Sequence, residues 1–474
     1  MSVSLETIVS LCKRRGFIFQ SSEIYGGLAA TYDYGPLGSE LKRNVSQAWW
    51  HAMTRRHDNV VGIDAAILMH AEVWKASGHV DAFHDPMIDD RVSKMRYRAD
   101  QLIEGHIARL HRNGKTEQAD AVYENLVAAL NADDVPKALY DIIIGEEIKS
   151  PDSGVADWSD VRQFNLMFKT HVGPASDTES VVYLRPETAQ GIFVNFHNVR
   201  DTARLQVPFG IAQIGKAFRN EIVARQFVFR MREFEQMEMQ YFIKPGTQME
   251  AYENWKAERL QWHLENGIGS EHLRFHEHEK TAHYADAAVD IQYEFPGGWQ
   301  EVEGIHSRTD YDLGRHQEFS GKKMEYFDPQ TNDRYIPYVV ETSVGLDRTI
   351  LMLLCEAYRE EEVNGEKRVV MSFRPRLAPI TAAVFPLVKK DGMPEIAHRI
   401  ESDLRREYNV FYDEKGAVGR RYRRMDEAGT PFCITVDGDT SDDGSVTIRH
   451  RDSMEQERIQ ADNVRSFVRD ALAS

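Results

Sequence analysis

The alternation of polar and apolar side chains between Gly215 and Phe242, GKAFRNEIVARQFVFRMREFEQMEMQYF, constrains this chain more than any other stretch. Successive side chains of a strand face opposite ways. A strand reading therefore puts Arg219 and Glu221 on one face of a first strand. In a second strand it puts Arg230, Arg232, Phe234, Gln236 and Glu238 on one face. The opposite face carries Phe229, Met231, Met237, Met239 and Tyr241 and suits a core. A hairpin turning around residues 222–228 lets the two polar faces share one surface. Arginine offers bidentate donors to phosphate oxygens, phenylalanine a platform for a base, and glutamate an acceptor for an ammonium. A solvated strand face of alternating ion pairs fits the same pattern.

Three more stretches carry chemistry-bearing residues. In PYVVETSVGLDRTILMLL, Val339, Glu341 and Ser343 share a strand face, Gly345 breaks the strand, and an apolar helix follows. Arg348 falls in the first turn of that helix, where the helix dipole favours anions and disfavours a cation unless it has an anion to hold. An ordinary ion pair with Asp347 or a nearby Glu is the alternative. In YLRPETAQGIFVNF, Arg185-Pro186 ends a strand and Glu187 stands at the turn into a helix, where a carboxylate also serves as a cap together with Thr188. In FPGGWQEVEGIHSRTDYDL, a tight turn precedes Trp299, Glu301 and Glu303, predicted to share one face, with Arg308 and Asp310 beyond. Paired carboxylates beside a triphosphate suit Mg2+, which takes oxygen ligands and keeps several waters; exposed strand residues look the same in sequence.

A chain of 474 residues, 42% hydrophobic, is long enough for two or three domains. Residues 1–94 are rich in Gly and aromatics, and 95–150 read as two helices around Asn113-Gly114, a helical insertion. From 181 to 345 the pattern is strand-like, broken by a helix that stops at Gly267. After a boundary at Phe373-Arg374-Pro375-Arg376, strands alternate with helices, which implies a separate α/β domain over 375–474. The domain expectation is thus a body built from 1–94 and 151–372, the insertion, and the C-terminal unit. A net charge of -17 excludes a protein that coats nucleic acid nonspecifically, DNA included. An RNA partner needs a local basic surface, and Arg420, Arg421, Arg423 and Arg424 around Tyr422 are the candidates, a solvated helix face being the alternative. Cys12, Cys355 and Cys433 are far apart and form no C-x-x-C pair, so neither a disulfide framework nor a structural zinc site is indicated. His272, His276, His278 and His283 lack a third ligand at recognisable spacing. No stretch reads as a signal peptide or a bilayer span, so no membrane is expected and the cytoplasm is the default.

Taken together, FRNE followed by R-x-R-E-F resembles motif 2 of the class II aminoacyl-tRNA synthetases, ETSVGLDR resembles motif 3, and residues 33–50, DYGPLGSELKRNVSQAWW, resemble motif 1, the dimer-interface helix. GGLAATYDYGPLG, RPETAQGIFVNF, FRNE, REFEQMEMQYF and GWQEVEGIHSRTDYDL resemble the homodimeric glycyl-tRNA synthetases in particular, across nearly the whole chain. The last 100 or so residues are similar to the α/β anticodon-binding domain that the glycyl, threonyl, prolyl and histidyl enzymes share.

The resemblance implies an α+β fold: an antiparallel-sheet catalytic domain with a helical insertion, then the anticodon-binding domain. It implies ATP, glycine and tRNA(Gly) as substrates, Mg2+ as cofactor and a homodimer. It assigns ATP to Arg219, Asn220, Glu221, Phe229, Arg230, Met231, Arg232, Glu233, Phe234, Glu301, Val302, Gly345, Leu346, Asp347 and Arg348. Within that set Arg219 holds the α-phosphate, Arg348 the γ-phosphate, Phe234 stacks on adenine, Glu221 reads its edge and Glu301 holds Mg2+. It assigns glycine to Arg98, Glu187, Phe234, Glu235, Gln236, Met237, Glu238, Arg308, Glu341, Thr342, Ser343, Val344 and Gly345, with Arg98 or Arg308 meeting the carboxylate. Two stretches depart from the family pattern: IVARQFVFR stands where I-x-P-R-Q-G-L-L-R is usual, and Ser307 where Asn or Asp often precedes the arginine. The insertion suits contact with the tRNA acceptor stem, and no segment reads as an editing domain. A sister synthetase for threonine, proline or histidine, a catalytically silent relative that only binds, and an ATP-dependent amide ligase of similar fold are the rivals. The threonyl enzyme needs zinc ligands that the cysteines do not offer. A silent relative need not keep Arg219, Glu221, Phe234, Glu301 and Arg348 together, and a simple ligase lacks the C-terminal domain.

Overall fold

A computed structural model describes residues 3–173, 181–221, 227–278 and 286–473. Its centre is a seven-stranded sheet in the order Leu273–Glu277, Ala287–Phe295, Gly298–Thr309, Tyr338–Gly345, Glu233–Ile243, Phe209–Phe218, Val60–Gly62. Every neighbouring pair is antiparallel except the last, in which Val60–Gly62 runs parallel to Phe209–Phe218. One face is apolar in sequence and buried in fact: Met237, Met239, Val340, Val344 and Ile305 lie against helices Pro36–Thr54, Gln248–Glu265 and Leu346–Ala357. Pro36 starts the first of these helices, and Leu41, Val45, Trp49 and Ala52 recur on its buried side at helical spacing.

The hairpin expectation holds for the pairing, since Glu233 stands opposite Phe218 and Phe242 opposite Phe209. It fails for the strand length. The second strand begins only at Glu233; Phe227–Phe229 form a helical turn, so Arg230 and Arg232 do not extend the polar strand face. Residues 222–226 of the predicted connection lie outside the described residues, as does His283.

A second correction concerns Glu301 and Glu303. Strand Gly298–Thr309 pairs Glu301 with Gln292 and Glu303 with Ile291, so Val302 is an extra residue in a β-bulge. A bulge reverses the alternation behind it. Glu301 is exposed toward the site, whereas Glu303 is fully buried on the helix side, held by Arg259 Nε at 2.5 Å and His263 Nε2 at 2.8 Å. The two carboxylates therefore cannot share an ion.

Helices Ala99–Arg112 and Thr116–Ala129 meet the expected break, and a third helix, Val135–Gly145, joins them. Their cluster has its own core from Ile88 to Val161, and it stands on a three-stranded sheet of His84–Asp89, Arg96–Arg98 and Arg162–Asn165. The C-terminal unit is a five-stranded sheet in the order Val410–Tyr412, Ala382–Pro386, Phe432–Val436, Ser445–His450, Gln456–Gln460, its first three strands parallel. Strand Gln456–Gln460 runs antiparallel to Ser445–His450, and helix Gly438–Asp443 precedes that pair. Buried Asp426 accepts from Arg368 Nε and Arg449 Nη1, both at 2.9 Å, which fastens this unit to the hairpin Tyr358–Met371.

Candidate active site

The polar face of the sheet forms the back of a cavity of about 250 Å³. Arg219, Phe234 and Arg348 all line it, together with Glu187, Glu238 and Glu341. The arginines reach it by different supports. Gly215 carries no Cβ because the guanidinium of Arg185 passes there; a Cβ would meet Arg185 Nη2 at 2.2 Å. Arg185 is buried and donates to Lys216 O at 2.7 Å and Ala65 O at 2.8 Å, which fixes the following Pro186. Pro186 O in turn accepts from Arg219 Nε at 3.1 Å. The Arg219 guanidinium lies over two rings, 5.4 Å from Phe83 and 5.3 Å from Phe234. Among the described residues its two Nη atoms take no hydrogen bond, so they face the cavity as donors.

Arg348 occupies the first turn of helix Leu346–Ala357, as predicted, and it pairs with Glu301 rather than Asp347. Its Nη1 lies 3.3 Å from Glu301 Oε2, its Nε donates to Phe229 O at 3.2 Å, and its guanidinium covers the Phe229 ring at 4.5 Å. Burial raises the Glu301 carboxyl, but Arg348 overrides it and holds the group below the usual range. Asp347 accepts from Tyr34 Oη at 2.6 Å and from Glu235 N at 2.7 Å, which locks the helix start to the neighbouring strand.

The floor is acidic. Gln240 Nε2 donates to Glu341 Oε2 at 2.6 Å and reaches Glu238 Oε1 at 3.4 Å. Glu341 also meets His306 Nδ1 at 2.9 Å and Arg308 Nη1 at 3.3 Å. Burial alone would raise Glu341, but Arg308 and His306 keep it well below the usual carboxylate range. For Glu238, burial, then the charge of Glu341, then that of Glu187, outweigh Thr188 and Arg308 and push the carboxyl well above that range. Thr188 makes no cap; its hydroxyl donates to Glu238 instead. Glu187 meets His79 Nε2 at 3.2 Å and accepts from Gln190 Nε2 at 2.9 Å. Ser343 stands opposite Glu238 in the adjacent strand.

Of the residues singled out in sequence, Glu221, Phe229, Arg230, Met231, Glu235, Gln236, Arg308, Gly345 and Asp347 also line the cavity. Others do not. Met237, Val302, Val344 and Leu346 are in the hydrophobic core, and Thr342 is buried with them. Glu233 pairs with Lys216, Asn220 donates its backbone N–H to Leu166 O, and Arg232 ties back to Glu221 O and Ala29 O. Arg98 is pinned by Asp85 at 3.1 Å and Asp100 at 2.6 Å, outside the lining. Sequence reasoning missed His306, which alternation from Glu301 disguised, and His79, which no local pattern marks.

The basic helix Val418–Ala428 requires a correction too. Arg421 is buried and donates to Pro386 O and Asp413 O. The Tyr422 ring packs on Phe385 and its hydroxyl meets Thr435 Oγ1, so it offers no stacking surface. Arg420 and Arg424 remain exposed, and Arg424 is paired with Asp413.

No group of three or more His, Cys, Asp or Glu among the described residues stands ready to hold a metal ion. No helix there is long and apolar enough to cross a membrane.

Comparison with known proteins gives one consistent answer. The tRNA synthetase class II core domain (G, H, P, S and T) matches residues 168–357. The glycyl-tRNA synthetase insertion domain 1 matches 85–119 and 114–166, and an anticodon binding domain matches 381–471. A glycine–tRNA ligase of Chlorobaculum tepidum is 59% identical over 98% of this chain and 99% of its own. One of Treponema denticola is 53% identical over 96% and 94%, and one of Caldanaerobacter subterraneus 50% identical over 100% and 99%.

Proposed function

Because the chain belongs to the glycine–tRNA ligase family, and so activates glycine with ATP and transfers it to tRNA(Gly), we propose a division of labour within its pocket. The observation that carries it is a single cleft with Arg219, Phe234 and Arg348 on one side and an acidic floor of Glu187, Glu238 and Glu341 on the other. A triphosphate needs the first side and an ammonium the second.

Phe234 stacks on adenine and Glu221 accepts from its edge. Arg219 holds the α-phosphate with the two Nη donors that its own support leaves over, and Arg348 holds the γ-phosphate. The ammonium of glycine sits among Glu187, Glu238, Glu341 and Ser343. Arg308 is turned to Asp312 and Glu341, so its part is to hold Glu341 ionised, and the glycine carboxylate points toward Arg219. A carboxylate oxygen attacks the α-phosphorus, the bond to the bridging oxygen breaks and pyrophosphate leaves. Arg219 is already in place for the charge that develops, so catalysis is positioning and electrostatics. A terminal ribose hydroxyl of the tRNA then attacks the glycyl carbonyl and AMP leaves. Rejecting larger amino acids is a matter of steric overlap and needs no editing site.

Glu301 fits Mg2+: it is an ionised, exposed carboxylate facing phosphate-binding arginines, and this ion is held by one or two carboxylates plus nucleotide phosphates. Bound there, the ion would screen phosphate charge. Pairing of two copies through the region of helix Pro36–Thr54, and a cytoplasmic location, belong to the same proposal.

The test uses the raised Glu238 carboxyl. An incoming ammonium favours its ionised form, so protonation of this group opposes glycine binding. Raising the pH removes that opposition and strengthens binding. The KM for glycine in ATP–pyrophosphate exchange should fall as pH rises, by at most about tenfold per unit, up to the point where glycine's own amine titrates. Glu238→Gln should raise the KM and flatten the dependence. A wild-type KM independent of pH below that point would contradict the assignment.

A further inference from the structure

The family reading leaves unexplained why both halves of the cleft lean on one short segment that does not line it. We propose that His79 and Phe83 are positioning residues, His79 for the glycine ammonium site through Glu187 and Phe83 for the α-phosphate site through Arg219. This rests on the functional reading above and adds the elements that aim its residues.

His79 Nε2 lies 3.2 Å from Glu187 Oε2. Its other nitrogen, Nδ1, meets Ser77 Oγ at 2.8 Å. The ring stands edge-on to Trp74 at 5.7 Å and Phe83 at 5.2 Å, so its orientation is fixed from three sides. Phe83 then presents its own face to the Arg219 guanidinium, as Phe234 does. Phe83 and Phe234 together hold the plane of Arg219, while Pro186 O fixes its Nε. Neither His79 nor Phe83 lines the cavity, so each acts through the residue it supports.

The segment is itself held in place. Leu166 N donates to Phe83 O at 3.1 Å, and Asn220 N donates to Leu166 O at 2.8 Å. Asn165 Nδ2 donates to Val80 O at 3.0 Å. Asn165 ends the strand that returns from the insertion and Leu166 follows it, and Phe83 immediately precedes the strand that leaves for it. The stem of the insertion, the Arg219–Asn220 corner and the Glu187 support therefore share one frame.

Two kinetic constants separate the two roles. His79→Ala should raise the KM for glycine on the order of tenfold, with the KM for ATP little changed, because a hydrogen bond to a charged group is lost; His79→Gln, which keeps a donor, should restore most of it. Phe83→Leu should fill the space but lose the ring face, lowering kcat for ATP–pyrophosphate exchange roughly 3- to 30-fold at an unchanged KM for glycine. Phe83→Tyr should stay near wild type. Leucine and glutamine preserve bulk, so folding is not the issue, and unchanged melting temperatures verify it. Equal effects of both substitutions on both constants, or no rescue by Gln and Tyr, would overturn the proposal. Wild-type exchange with glycine in the same assay keeps the functional reading separate: its absence would fail that reading, not this one.

Discussion

Arg219→Ala should slow glycyl-adenylate formation severely, with kcat lower by on the order of 10²- to 10³-fold, the usual loss when one preorganised donor to a developing anion is removed. The expectation follows from how Arg219 is held. Its Nε is spent on Pro186 O and its guanidinium packs on Phe83 and Phe234, while the remaining donors face the cavity. Such a side chain serves the cleft more than the fold, so the melting temperature should move little. Pyrophosphate exchange read alongside thermal unfolding makes the comparison. Unchanged turnover would remove Arg219 from the α-phosphate, and lost turnover with a collapsed melting temperature would make it a structural residue.

Arg259→Met should be the most destabilising of the substitutions considered, by about 3–5 kcal/mol, because it leaves the buried Glu303 without its guanidinium partner. The pair is fully enclosed, with Arg259 at 1% and Glu303 at 0% exposure. Burial raises the Glu303 carboxyl, but Arg259 and then His263 pull it below the usual range in the intact protein. A depressed folded-state value contributes stability above the unfolded value of about 4.3 and loses it as pH falls through the folded one. In the variant burial dominates and the sign reverses, so its deficit should be larger at pH 8 than at pH 5. Removing both charges, Arg259→Met with Glu303→Leu, should recover much of the loss. Urea unfolding midpoints of the three proteins at both pH values check this. A single variant as stable as wild type would show that the pair is not desolvated.

The same carboxylate shows where sequence stops being legible. Glu233–Ile243 and Tyr338–Gly345 keep an unbroken period of two, so Phe234, Gln236 and Glu238, and likewise Glu341 and Ser343, could be assigned to one face before any coordinates. One extra residue at Val302 interrupts that period, and nothing in WQEVEGIH announces it. Alternation therefore grouped Glu301 with Glu303 and hid His306. Arg98 and Arg421 failed for another reason: charge in sequence says nothing about whether a neighbour already holds it, and Asp85, Asp100, Pro386 O and Asp413 O do. His79 was invisible because its partner Glu187 lies beyond the whole insertion. The apolar helix start at Leu346 and the placement of Arg348 were readable because Gly345 breaks the strand at a fixed point.

ATP–pyrophosphate exchange measured with each of the twenty amino acids in turn tests the cleft most directly, since it requires a triphosphate and an amino acid to react within it. Incorporation of label with glycine and with no other amino acid is the predicted result. Exchange driven by threonine, proline or histidine in place of glycine would contradict the assignment of the acidic floor, and no exchange with any of them would contradict the cleft as a catalytic site.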